Sequence, residues 1–238
     1  MTRRRLLFYV SIAIAFLIAS GIPRNSQSAV QSGAPDSNLI VGRNINMVPG
    51  LQLPYGDPYL QRQNEPSIAA STRNPMHLLA GANDYRTIDM PFEDKVPGVE
   101  LGSQAIGRDA WLGVFKSYDG GQSWITTLLP SYPQDFSNEG VYSPLKAFGT
   151  AADPVVKAGT NGLFYYAGIA FNRVERGSGV VFVARYIDLN NQENGDTIKY
   201  NGVTVVDQGN AGQFLDKPWI AVDIPRPGHG HKVLPGQT

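Results

Sequence analysis

One short segment recurs three times along the chain, and this repeat restricts the fold more than any single motif. Asn64-Glu65-Pro66-Ser67-Ile68-Ala69 returns as Ala152-Asp153-Pro154-Val155-Val156, and again as Asp216-Lys217-Pro218-Trp219-Ile220-Ala221. Each copy is a proline followed by strand-forming residues. Proline is tolerated at the first residue of a strand, where no ladder donor is needed. A repeat with a period of tens of residues means stacked units, each burying a face that its neighbour leaves open.

The first unit reads as four antiparallel strands. Pro66 to Ala70 is the first, Thr72-Arg73-Asn74-Pro75 a turn, and His77 to Asn83 the second. Arg86–Arg108 is a polar insertion, Ala110 to Lys116 the third strand, and the run to Leu129 the fourth. The last two are joined by Ser117-Tyr118-Asp119-Gly120-Gly121-Gln122-Ser123-Trp124, a hairpin turn. Ser117 and Asp119 can accept backbone N–H groups, Gly121 can take positive φ, and Trp124 can fold back over the hairpin. The second unit follows the same plan. Thr160-Asn161-Gly162 is a turn, Leu163 to Phe171 and Val180 to Ile187 are strands, Asp188 to Gly202 a polar loop, and Val203 to Val206 the last strand. The third unit begins at Pro218.

The Ser117–Trp124 pattern resembles the Asp box, or BNR repeat, of the sialidase-like β-propellers, with Ser123 where that family usually has Thr. Asn64-Glu65-Pro66, Asp153-Pro154 and Asp216-Lys217-Pro218 extend the resemblance over about Asn64 to Asp223. It implies an all-β fold, a β-propeller of the sialidase superfamily. Blades lie at about 64–130 and 152–207, and a truncated one at 216–238. Two blades and part of a third do not close a ring of at least four. A fragment, or a subunit needing a partner, is therefore expected. In that family the Asp box is structural, so Ser117, Asp119, Gly121 and Trp124 are read as a structural turn. The family's enzymes use an arginine triad, a Tyr–Glu nucleophile and an acid/base Asp. No such set can be carried over here. The implied function is an exported sialidase-like glycoside hydrolase of exo-α-sialidase type. The alternative is a non-catalytic propeller binding glycans or proteins at the cell surface.

Composition agrees with a β-rich, turn-rich chain: 26 Gly, 17 Pro and only 17% charged residues. Net charge is zero with no basic stripe, which argues against nucleic acid. Cysteine is absent, excluding disulfide and thiolate chemistry. Residues 1–29 read as a signal peptide. Arg3-Arg4-Arg5 precedes the apolar run Leu6 to Ile18, and small residues around Ser28-Ala29 give a cleavage site. An uncleaved anchor is the other reading. After cleavage the chain is mildly acidic, has no membrane span, and is secreted or periplasmic. Residues 30–63 read as a linker and extended segment, with short strands at Leu39-Ile40-Val41 and Asn44 to Val48.

In a propeller, the strand starts and both long insertions, Arg86–Arg108 and Ser131–Ala151, share one rim. The Ser117–Trp124 turn occupies the other. Glu65, Asp153 and Asp216 are rim carboxylates, able to bind sugar hydroxyls or act as acid/base, or to hold backbone N–H groups. Asp84 and Arg86 end the second strand on that rim, as site residues or as a surface ion pair. Arg173, Glu175 and Arg176 read as a solvated loop. Tyr165, Tyr166 and Phe171 suit packing between blades. Asp188, Asn190, Glu193 and Asp196 offer oxygens for Ca²⁺ but without EF-hand spacing. His229 and His231 could hold a metal but sit among Pro and Gly, so no metal or other cofactor is assigned. No Ser/His/Asp set is identifiable.

Overall fold

The structure is a computed structural model and describes residues 42–90, 109–174, 177–191, 195–209 and 213–225. The leader, Leu39-Ile40-Val41, most of the first insertion, Glu175, Arg176, Glu193, His229 and His231 lie outside the described residues. Among the described residues, no helix is long and apolar enough to cross a membrane.

The fold is all-β, two four-stranded antiparallel sheets, each a meander in chain order. The first comprises β1 (Gln63–Ala70), β2 (Leu78–Asp84), β3 (Trp111–Ser117) and β4 (Ile125–Leu128). The second comprises β5 (Thr150–Ala158), β6 (Leu163–Phe171), β7 (Gly179–Asp188) and β8 (Ile198–Gly209). The sheets do not close into a ring. The two repeat units of the sequence thus each become one sheet.

β5 of the second sheet lies against β1, β2 and β3 of the first. Leu79, Trp111, Leu112, Val114 and Leu128 from the first meet Phe164, Tyr166, Phe182 and Tyr186 from the second in one core. β3 is buried along its whole length, which explains why its sequence is not a clean apolar–polar alternation. Tyr166 crosses between the sheets and donates its hydroxyl to the Gly113 carbonyl at 2.8 Å. Gly81 leaves the room for it, since a Cβ there would stand 2.4 Å from the Tyr166 oxygen. Tyr166 therefore joins the two units, as expected, and Phe171 is also buried. Tyr165 on the opposite face is half-buried.

Three expectations are corrected. The polar loop Asp188 to Gly202 is shorter, because β8 already begins at Ile198. Its Asn201-Gly202 pair, expected inside that loop, forms a β-bulge of β8. Ala184 pairs with Val203 and Tyr186 with Tyr200, which leaves two residues opposite Arg185. Gly202 supplies the positive φ of 87° that such a bulge uses. The strand expected at Pro218 is not formed: residues 213–225 have no ladder partner. Nor is Asn44 to Val48 a strand; instead Met47 and Val48 pack on Ala80, Ala82 and Phe115.

Candidate functional site

Strand directions place the ends of β2 and β4 and the starts of β1, β3 and β5 on one rim. The β1–β2 and β3–β4 turns lie on the other. Each rim carries its own polar cluster.

On the first rim the repeat shows a common backbone. Glu65, Asp153 and Lys217 each precede a proline, and each has positive φ, at 52°, 59° and 49°. For residues other than Gly this conformation is uncommon, costing roughly 1–2 kcal/mol each. In β1 and β5 it coincides with a bulge, where the register skips between Asn64 and Ser67 and between Ala152 and Val155. A bulge turns side chains out of the strand's alternation. As a result the Lys217 ammonium reaches the Glu65 carboxylate, and also Asp153 Oδ1 at 3.2 Å. The hydrogen bond to Glu65, outweighing desolvation and helped by Asp153, raises the Lys217 pKa above its ordinary value. The equivalent of Glu65 and Asp153 is thus Lys217, and the expected equivalence of Asp216 is corrected. Asp216 instead accepts the Lys217 N–H at 3.0 Å.

Glu65, Asp153 and Asp216 line a cleft of about 230 Å³ between the sheets, together with Asn64, Asn83 and Tyr85. Asn83 Oδ1 accepts the Asp153 N–H at 2.7 Å and so ties β2 to β5. Phe171 and Phe214 meet edge to face at 5.2 Å and give the cleft an apolar side. Arg173 also borders it; its guanidinium pairs with Asp109 and lies 5.1 Å from the Phe171 ring centre. Arg173 is thus exposed, as expected of a solvated loop, and also paired.

Asp84 and Arg86 are not part of this opening. Both are fully buried, which corrects the expectation of a surface pair. Arg86 Nε and Nη2 reach the Asp84 carboxylate at 2.7 to 3.0 Å. Nη1 donates to the Pro54 carbonyl at 2.6 Å, and Nη2 also to the Thr127 carbonyl at 3.1 Å. The guanidinium fork is committed to protein groups, pinning β2, β4 and the segment before β1 together.

The other rim carries the Ser117–Trp124 turn. Asp119 Oδ1 accepts the N–H groups of Gln122 and Ser123, both at 2.9 Å. The Ser123 hydroxyl donates to Asp119 Oδ2 at 2.6 Å, and the Ser117 hydroxyl to Oδ1 at 2.8 Å. The Gly121 N–H donates to Ser117 Oγ at 2.8 Å, and Trp124 Nε1–H donates to the Gly121 carbonyl at 3.1 Å. Desolvation works to raise the Asp119 pKa, but the bonds from Ser123, Ser117 and Gln122 outweigh it and hold it at about 2. The side chains of Ser117, Asp119, Ser123 and Trp124 are spent on the turn itself, whereas the Tyr118 hydroxyl reaches out to Asp196 and to the Thr197 and Ile198 N–H groups.

Sequence reasoning missed a network beside it. Ser71 Oγ donates to Asp188 Oδ2 at 2.6 Å, and His77 Nδ1 lies 3.0 Å from Asp188 Oδ1. Asn74 Nδ2 faces His77 Nε2 at 3.2 Å, so Nε2 accepts and Nδ1–H donates to the carboxylate. Ser71 and His77 both bind the aspartate rather than each other, so no activated nucleophile results. Only the spatial meeting of the β1–β2 turn with the end of β7 creates this cluster, and no sequence spacing announces it. The oxygens considered for Ca²⁺ are divided: Asp188 serves this network, while Asp196 serves Lys116 at 3.1 Å and the Tyr118 hydroxyl. Among the described residues, no group of three or more His, Asp or Glu side chains could hold a metal ion.

No protein-family model and no curated protein matches this chain. A solved structure of Trypanosoma rangeli sialidase in complex with the inhibitor DANA is similar over 61% of this chain, at 15% identity and a TM-score of 0.34. The match spans 21% of that protein's chain.

Proposed function

We propose that the two sheets are blades of an exported sialidase-superfamily propeller, and that the cleft beside Glu65, Asp153 and Lys217 binds glycan without turning it over. The observation that carries this reading is the meeting of the three pre-proline residues at one opening. Carboxylates, amides and an aromatic side there suit hydroxyl-rich ligands, in which paired acceptors fix orientation and rings cover the sugar's apolar face. The bonds that Ser117, Asp119, Ser123 and Trp124 make within the turn support the Asp-box reading.

The hydrolase reading, of exo-α-sialidase type, requires arginine forks free to grip a substrate carboxylate. Arg86 is buried against Asp84, and Arg173 is paired with Asp109. An acid/base carboxylate also needs to be within reach of the proton it transfers, whereas Glu65 and Asp153 both bind the Lys217 ammonium. Binding is therefore favoured over catalysis.

The test is to incubate the chain with a fluorogenic sialoside and, separately, to probe a glycan array. Saturable array binding weakened by Asp216→Ala, with no fluorophore released, supports the reading. Release that disappears in Asp153→Asn restores the hydrolase. Absence of both signals removes the cleft from consideration as a glycan site.

A further inference from the structure

A second groove lies away from the rim cleft, between the Ser131–Ala151 insertion and the outer strand β8. Its volume is about 410 Å³, and Asn138, Glu139, Tyr142, Ser143, Tyr200 and Asn201 contribute to its walls. We propose that this groove binds a neutral saccharide, with the sugar ring on Tyr142 and its hydroxyls on Asn138, Glu139 and Asn201.

Both walls are held in place. In the insertion, the Asp135 carboxylate accepts the Ser131 N–H at 2.7 Å and the Ser137 N–H at 2.9 Å. The Lys146 ammonium donates to the carbonyls of Tyr132, Pro133 and Asp135 at 3.1, 2.9 and 2.5 Å. Ser137 then caps the short helix Asn138–Val141, its hydroxyl accepting the Gly140 N–H at 3.1 Å. This leaves Tyr142, just past the helix, 85% exposed. A large aromatic so exposed on a braced segment loses little conformational freedom when a ligand covers it. Opposite it, the β8 bulge presents Asn201 outward, and Tyr200 leans on Tyr186 edge to face at 5.5 Å.

Charge selects the ligand class. No Lys or Arg lines the groove, and Glu139 does. Desolvation, with Asp135 and Glu139, pushes the Tyr200 hydroxyl up to about 12. Anionic sugars are repelled from such a site. Neutral hydroxyl pairs match amide and carboxylate groups in two-pronged fashion.

The experiment is calorimetric titration of the full chain with maltotriose, cellotriose and chitotriose, and with tetramethylammonium as a cationic probe. At least one trisaccharide binds saturably, with a dissociation constant on the order of 1 mM. Tyr142→Ala and Asn201→Ala each weaken it about tenfold, or roughly 1.4 kcal/mol, while Asp216→Ala, at the rim cleft, leaves it unchanged. Tyr142 is exposed, so its variant keeps the wild-type Tm. Three outcomes overturn the proposal: no trisaccharide binds, binding survives Tyr142→Ala, or tetramethylammonium binds where sugars do not. Loss through Asp216→Ala instead assigns the sugar to the rim cleft.

Discussion

His77 Nδ1 lies 3.0 Å from Asp188 Oδ1, joining the β1–β2 turn of one sheet to the end of β7 in the other. Both side chains are buried, and the carboxylate also accepts the Ser71 hydroxyl and the Asn190 N–H. Removing it strands three donors. Asp188→Ala therefore destabilises by about 1–3 kcal/mol for each buried donor left unsatisfied. A double-mutant cycle with His77→Ala gives a coupling of roughly 1–3 kcal/mol in urea unfolding. A coupling near zero would show that the pair does not join the sheets.

The same carboxylate makes the junction acid-sensitive. Burial alone raises its pKa, but the bonds from Ser71, His77 and Asn190 prevail and lower it. A depressed folded-state pKa contributes stability that is present above the unfolded value of about 4, and that is lost as pH falls through the folded value. Asp119, held at about 2, acts in the same direction. Unfolding free energy measured between about pH 5 and pH 2 thus declines steeply. Asp119→Asn starts lower at neutral pH and declines less, because one such group is gone.

Arg86 answers differently to substitution than a surface arginine does. Arg86→Ala leaves the Asp84 carboxylate buried without its partner, at a cost of about 3–5 kcal/mol. Arg86→Lys keeps the charge but loses the two-pronged geometry and at least one of the carbonyl contacts, so it does not rescue the fold fully. Thermal melting of the three proteins orders them wild type, Lys, Ala. Equal melting temperatures for Lys and wild type would mean that only the charge matters.

Lys217 is exposed, and its ion pairs hold a segment rather than a core. Lys217→Ala leaves the urea midpoint within error of wild type while amide exchange in residues 213–225 speeds up. Added salt has the same local effect on the wild-type chain, through screening of exposed charges. Unchanged exchange in the variant would show that Phe214 and Trp219 hold this segment without the ion pairs. Phe214 meets Phe171 edge to face, and the Trp219 ring lies 4.8 Å from the Lys157 ammonium.

The strands were legible because their pattern is local. Leu163–Phe171 reads as a strand from its apolar run and the Asn161-Gly162 turn before it, and those are its bounds in the structure. Asn201-Gly202 fell within the expected polar loop, and only the partner strand shows that this dipeptide serves a bulge. The site was less legible because it depends on depth and on long-range approach. In sequence, Asp84-Tyr85-Arg86 reads the same whether exposed or buried. The Ser71–His77–Asp188 cluster joins residues more than a hundred positions apart. Lys217 could have been found, since alignment on the prolines puts it, not Asp216, in register with Glu65 and Asp153.

The three pre-proline residues share a backbone conformation but not a chemical type. The repeat thus fixes where a side chain is delivered and leaves open what is delivered, like a socket of constant shape. Charge at the three positions is then a permutable code. Exchanging Glu65 and Lys217 keeps the sum and their mutual pair, moves the cation onto β1, and sets a carboxylate at 217 beside Asp153.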